Sequence, residues 1–246
     1  MIIFENTSIY GWEAAIRGMR NPLKSWDKSD SVYGTYWGDI DGHECSDRDG
    51  FSIGSNDLDL MKKLIAAGPD HSKFMRMITV TVDITAPLYW WKEFDTYKVG
   101  TVRNSCSTMH KIHSNEFTLD DFSHEYIDKN CFSSGVFNEV IRTLNFHRKM
   151  YLKTKDKKLW WQMIQLLPSS YNQRATVQLN YAVLRNMYHS RTNHKLDEWS
   201  QGFTKWVKSL PYSELITAAH CADENKRMKE QIEQLIKEYE QLIKEY

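Results

Sequence analysis

Between Ile78 and Thr85 the chain alternates strictly: Ile78, Val80, Val82 and Ile84 are apolar, while Thr79, Thr81, Asp83 and Thr85 are polar. A period of two places one set on each face of a pleated ribbon, so this segment is predicted to be a half-buried strand, closed by Pro87. Elsewhere the apolar positions recur three and four apart, which is the helical period. Residues 11–19 read as a short helix, and Ser55 or Asn56 can cap a second one carrying Leu58, Met61, Leu64 and Ile65 on one face, ending at Gly68. Residues 88–98 form a predicted helix whose Tyr89, Trp90 and Phe94 seek a core. Further helices are predicted over 118–127, 136–151 and 157–167, the last stopped by Pro168. Residues 174–179 can form another strand, after which Asn180 can cap a helix over 181–191. A last helix, with Leu196, Trp199, Phe203 and Trp206 on one face, leads to Pro211. The segments 37–54 and 99–110 are rich in small and polar residues without a period and read as loops. The expected class is α+β, helix-rich, with a central antiparallel sheet.

The end of the chain repeats EQLIKEY at 233–239 and 240–246. Met228, Leu235 and Leu242 interleave with Ile232, Tyr239 and Tyr246 at the 4–3 spacing of a coiled-coil seam, flanked by Glu and Lys. So short a heptad run is marginal by itself. It reads either as an assembly helix for a partner or for the chain's own body, or as the solvated amphipathic end of the last helix. The expected organisation is one α+β domain over 1–222 and a heptad-patterned helix over 223–246.

Composition narrows the function classes. Lys plus Arg equals Asp plus Glu at 32 each, so no overall field draws the chain to nucleic acid or membrane, and neither is an expected partner. Any nucleotide site must rest on a local group of cations. The four cysteines, Cys45, Cys106, Cys131 and Cys221, form no C-x-x-C pair and suit reduced thiols in a cytoplasmic protein. No apolar run approaches the ~20 residues that cross a bilayer. His110 and His113 lack an evident third ligand, His43-x-Cys45 is weaker, and no metal site is expected. The paired tryptophans Trp90-Trp91 and Trp160-Trp161, with Trp199 and Trp206, read as core.

Residues 60–109 carry, in order, a helix, a Gly-containing turn with His71, the alternating strand, Ala86-Pro87, an aromatic helix and a polar segment. This resembles the core of the flavin-dependent thymidylate synthases, where the polar segment is Arg-His-Arg-x-x-Ser-x-Asn-Glu-x-Ser-x-Arg-Tyr. A second block over 166–199 is similar to that family's C-terminal pattern, with Pro168, Asn180, Leu184, Asn186, Arg191, His194 and Glu198 in place. The resemblance implies the α+β fold of that family and a homotetramer with sites assembled between subunits. It also implies FAD as cofactor, NADPH and methylenetetrahydrofolate as co-substrates, and dUMP methylated reductively to dTMP. On this reading Arg191 activates the pyrimidine. Ser105 and Ser107, with Glu93, Arg103 and Thr108, hold the nucleotide; His71, Tyr97, Lys98, Thr101, Asn180 and Asn186 line the flavin.

The chain departs from the family pattern at several positions. Arg-His-Arg is replaced by Thr96-Tyr97-Lys98, and a neutral amide before the motif by Glu93. The motif Ser is Thr101, its Glu is Ser105 and its last Arg is Met109, with Arg103 inserted; the Arg of the second block is Ala182. Lys98, Arg103 and Arg191 could together form a different phosphate cradle. The alternative reading is a nucleotide-binding or scaffolding protein that keeps the fold without the redox role.

Overall fold

The structure, a computed structural model, describes residues 1–33 and 51–219. Of the expected loop over 37–54, residues 37–50 lie outside the described residues, as does the heptad tail over 223–246, and Phe51–Ser52 is a short strand rather than loop. Chain order gives strand β1 (Ile3–Tyr10), helix α1 (Trp12–Arg20), the short strands β2 (Val32–Tyr33) and β3 (Phe51–Ser52), and helix α2 (Ser55–Ala66). Strand β4 (Thr79–Pro87), helix α3 (Leu88–Phe94), strand β5 (Val102–Ser105) and helix α4 (Thr108–Lys111) follow. Then come the long helix α5 (Phe132–Thr154), α6 (Lys157–Leu166), strand β6 (Asn172–Asn180) and α7 (Tyr181–Arg191). A π-helix (Glu198–Phe203) runs into α8 (Thr204–Lys208), and α9 (Glu214–Thr217) ends the described chain.

Two compact units share these elements. The first takes residues 1–9, 80–179 and 190–206 and holds the four-stranded sheet, in the order β1-β4-β6-β5. The alternation predicted for β4 is realised: Val80, Val82, Ile84 and Ala86 are buried, and Thr81, Asp83 and Thr85 are half-exposed. Strand β6 repeats the pattern, burying Gln173, Ala175, Val177 and Leu179. The 99–110 segment is not a loop throughout. Its Val102–Ser105 stretch pairs antiparallel with β6, Val102 facing Gln178 and Ser105 facing Ala175, so a partner strand supplies order that local composition lacks. The helix expected over 118–127 is also absent. A single 3-10 turn (Leu119–Asp121) forms, capped reciprocally by Thr118 and Asp121, and Phe122 then turns extended to bridge Tyr171. Fully burying Phe122 against the α5–α6 core outweighs the local helical preference.

That core joins Phe122, Leu144 and Met163, with Ile112 and Phe117. An aromatic stack centred on Trp90 forms its counterpart in the same unit: Trp90 lies 4.4 Å from Trp199 and 5.3 Å from Phe94. In the second unit, made of residues 10–33, 51–79, 180–189 and 207–219, Trp12 meets Tyr181 and Tyr212 edge-on. Helix α1 rests there on the 3-10 turn Lys73–Arg76, and α2 on α9. Gly11 begins α1 with a φ of 92°, and a Cβ at that position would lie 2.2 Å from the Met77 carbonyl oxygen. Both the left-handed backbone and the close approach require glycine there. The buried Arg20 of α1 is tied to the buried Asp57 of α2 at 2.7 Å, and Asp57 also accepts from the hydroxyls of Ser29 and Ser31.

Candidate functional site

In the sheet-bearing unit the site grows from the junction of β4 and α3. Pro87 ends the strand in extended backbone and α3 starts immediately, its Trp90, Trp91 and Phe94 all buried. These three anchors fix the exposed edge of the helix and the turn beyond it. Backbone bonds from Thr96 and Tyr97 to Glu93 and Phe94 wind the chain once more, and the Thr101 hydroxyl donates to the Tyr97 carbonyl. Glu93 and Tyr97 thereby stand together, and Arg191, the last residue of α7, reaches both. Its Nε donates to the Tyr97 hydroxyl at 2.8 Å and its NH1 pairs with Glu93 Oε2 at 2.9 Å. The guanidinium lies 5.4 Å from the Tyr97 ring centroid and 5.2 Å from that of Trp199, with 14% of the side chain exposed. Two aromatic rings and two edge contacts leave this cation little freedom to turn. The negative charge that looked out of place at Glu93 has its partner in Arg191.

Next to this group lies an open hollow of about 350 Å³ lined by Phe94, Asp95, Tyr97, Lys98, Thr101 and Arg103. Its two cations differ in kind. Arg103 donates to both oxygens of Asp95 at 2.7 and 2.8 Å and to Gln173 Oε1 at 2.5 Å, and lies 3.9 Å over the Trp91 ring. A guanidinium whose NH1 pairs with a carboxylate, whose NH2 bonds an amide and whose face lies on an indole is held in place by its own protein neighbours. Lys98 is exposed and has no ion pair among the described residues, so it is the cation the hollow can offer. Arg103 and Arg191 thus serve separate internal pairs rather than one cradle with Lys98.

The remaining expected residues divide the same way. Ser105 is exposed on β5 with a free hydroxyl among the described residues. Ser107 caps α4, its Oγ accepting from Met109 and His110 and meeting His110 Nδ1 at 2.8 Å; Thr108 is the first residue of that helix. Glu198, at the start of the π-helix, accepts from the Tyr89 hydroxyl. Burial, with the Glu198 carboxylate beside it, holds that phenol's pKa well above its usual range. His194 turns its Nδ1 back to the Leu196 amide at 3.1 Å.

Three expected residues belong to the second unit. Asn180 is the cap the sequence predicts, accepting from the Val183 amide at 3.0 Å, so its oxygen is committed. His71 is exposed on the turn at residues 68–72 and Asn186 is exposed on α7, both with side chains unbonded among the described residues. A cavity of about 220 Å³ is lined by Asn186, Ala182, Ser72 and Gly68, together with two arginines that the sequence reading passed over, Arg76 and Arg185. Their only linear signal is position: Arg185 precedes Asn186, and Arg76 precedes the alternating strand. Among the described residues no three His, Cys, Asp or Glu side chains group to hold a metal, and no helix is long and apolar enough to cross a membrane.

No protein-family model matches the chain, and no curated protein matches it. Among solved structures it is similar to flavin-dependent thymidylate synthase ThyX from Helicobacter pylori complexed with FAD and dUMP. That match has a TM-score of 0.59 and 14% identity over 87% of this chain and 95% of the other. A second structure of the Helicobacter pylori protein with FAD and dUMP matches at the same TM-score and identity, with 94% of its chain covered. Over most of its length, then, this chain has the fold of flavin-dependent thymidylate synthase.

Proposed function

We propose that this protein binds FAD and dUMP and methylates dUMP reductively to dTMP, as a homo-oligomer, with methylenetetrahydrofolate as carbon donor and NADPH as reductant. The observation that carries this reading is Arg191. It occupies the position that the second sequence block implies, and Glu93, Tyr97 and Trp199 hold it in one orientation. The Helicobacter pylori structures of the same fold contain FAD and dUMP, which supports both ligands. The residues also suit a flavin nucleotide in donor type: among the described residues Lys98 is an unpaired cation at an open hollow, and His71, Asn186 and Ser105 have unbonded polar groups.

Bound and reduced, FAD supplies a hydride equivalent. The chain itself positions and polarises. Arg191 donates to a pyrimidine carbonyl and draws electron density from the ring, while Glu93 and Tyr97 fix its direction. Lys98 would offset negative charge on a reduced flavin. No protein nucleophile is needed.

The test is the visible spectrum of the full-length protein with FAD, followed by methylation of dUMP. The expected outcome is a flavin band that bleaches with NADPH, and a loss of about 10²–10³ in rate for Arg191→Ala with FAD still bound. A protein that stays colourless in excess FAD overturns the proposal. One observation favours a second reading, nucleotide binding without hydride transfer. Arg103 pairs with Asp95, and Lys98, in the segment that replaces Arg-His-Arg, has no ion pair among the described residues. That reading predicts a flavin band that does not bleach and dUMP that still binds.

A further inference from the structure

We infer that the exposed flank of helix α5 is the docking surface for the C-terminal heptad segment, residues 228–246, of a second copy of this chain. Leu144 of α5 is fully buried, and Phe137, Ile141 and Tyr151 pack against the same core. These positions take up one side of the helix. A second series, Phe132, Val136, Glu139, Thr143, Phe146 and Met150, recurs in alternating steps of four and three and forms a separate stripe. Along it Phe132 is 86%, Phe146 59% and Val136 46% exposed. Apolar side chains bared along one helical stripe mark a surface that meets a partner. A hollow of about 200 Å³ opens on this stripe, lined by Val136, Glu139, Val140 and Thr143 with Leu166 of α6. It has the character of the hole that receives one side chain of a facing helix.

The sequence of the tail matches this stripe in period, length and charge. Met228, Ile232, Leu235, Tyr239, Leu242 and Tyr246 repeat the same steps of four and three. The two series cover equal stretches, 132–150 and 228–246, each about 27 Å long as helix. Their flanks carry opposite charge. Arg142 and Lys149 precede the stripe positions Thr143 and Met150, and Glu238 and Glu245 precede the tail positions Tyr239 and Tyr246. Lys149 is exposed and has no ion pair among the described residues. Arg142 meets only Glu139, one turn away at 2.9 Å, and both are exposed, a kind of pair worth little. From Arg142 to Thr154 helix α5 carries no acid, while glutamates outnumber lysines over 230–246. A single contact of two or three heptads is marginal. Two copies that exchange tails about a twofold axis make the contact twice, and the second docking is then intramolecular. That doubling singles out a second copy as the source of the tail.

The inference gives the homo-oligomer proposed above one specific contact and needs none of its chemistry. Site-directed photo-crosslinking in full-length protein tests it. One copy carries benzoylphenylalanine in place of Phe146, together with Leu235→Glu and Leu242→Glu in its own tail, and is co-expressed with a differently tagged parent copy. The expected product has the mass of two chains, with position 146 bridged to residues 228–246 of the parent copy. Its yield should fall at least about tenfold when the second copy also carries Leu235→Glu and Leu242→Glu. Arg142→Glu with Lys149→Glu on the photoreactive copy should lower it, and Glu238→Lys with Glu245→Lys on the other should restore it, which a merely damaged fold would not do. Phe132 is more exposed still and gives a second attachment point if the first disturbs folding, which thermal unfolding of the same samples reports. Three outcomes overturn the inference: no bridge to 228–246, a bridge from α5 to another part of the second copy, or bridges only within one chain when the photoreactive copy keeps its native tail. Flavin uptake is read separately by the visible spectrum, so a colourless protein that gives the expected bridge sinks the reaction alone, and a yellow one without it sinks the docking alone.

Discussion

Asp83 sits mid-strand on the polar face of the sheet and accepts from three neighbours: the Thr176 hydroxyl at 2.6 Å, the Asn6 amide at 2.9 Å and Arg174 at 3.0 Å. Those bonds, Thr176 foremost, favour the ionised form and hold its pKa at about 2, against 3.8 for an unperturbed aspartate. A depressed carboxylate pKa contributes stability that is complete above the unfolded value and is lost as pH falls through the folded one. Asp83→Asn should therefore unfold at lower denaturant than the parent above pH 4, with the gap closing toward pH 2. A gap that stays constant across that range would show that Asp83 acts through its shape and not its charge. Single residues were partly legible from sequence. Arg191 was, because an ungapped spacing leads to it; its pairing with Glu93 was not, because the two are far apart in the chain and each alone looks solvated.

Helices and strands were readable where period and chemistry agreed. Strand β4 alternates without a break, and α5 and α6 carry apolar stripes ended by Lys155 in left-handed backbone and by Pro168. Strand β1 was hidden because Asn6, at φ 52°, interrupts its alternation. Phe4 and Thr7, three apart, consequently both reach Trp206, by stacking at 4.5 Å and by a hydrogen bond at 3.2 Å. The final helix was foreseen by its stripe, but not that it opens as a π-helix, a widening often found at functional sites. Within it Trp199 is fully buried, stacks on Trp90 and lies beside the Arg191 guanidinium. Trp199→Ala should cost about 3–5 kcal/mol in chemical denaturation, the usual loss for a buried aromatic. It should also impair dUMP turnover beyond what the loss of folded protein explains. Trp161→Ala, at a 44%-exposed position, serves as the control and should do neither.

At the scale of the molecule, the α+β class with an antiparallel strand pair was legible, since one clean strand and several amphipathic helices leave few architectures open. The Arg76–Arg185 cavity was not. It gathers residues from the turn at 68–72 and from α7, more than 100 positions later, and neither segment alone has a basic run. Only tertiary folding makes that juxtaposition. The same long-range order bears on how the sheet is made during synthesis. Strand β1 leaves the ribosome first, yet its neighbour β4 begins at Thr79, and β4's other neighbour, β6, only at Asn172. At roughly 5–20 residues per second the first strand waits several seconds for a partner, and β4 waits as long again with one edge bare. That edge belongs to the Val80–Val82–Ile84 strand, an alternating apolar template of the kind that recruits other chains. A chain stopped near residue 170 should therefore aggregate as it is made, whereas the full-length product escapes because its last sheet strand closes the edge. Comparing the soluble fraction of the two, translated side by side with and without a holdase chaperone, would read out that race directly.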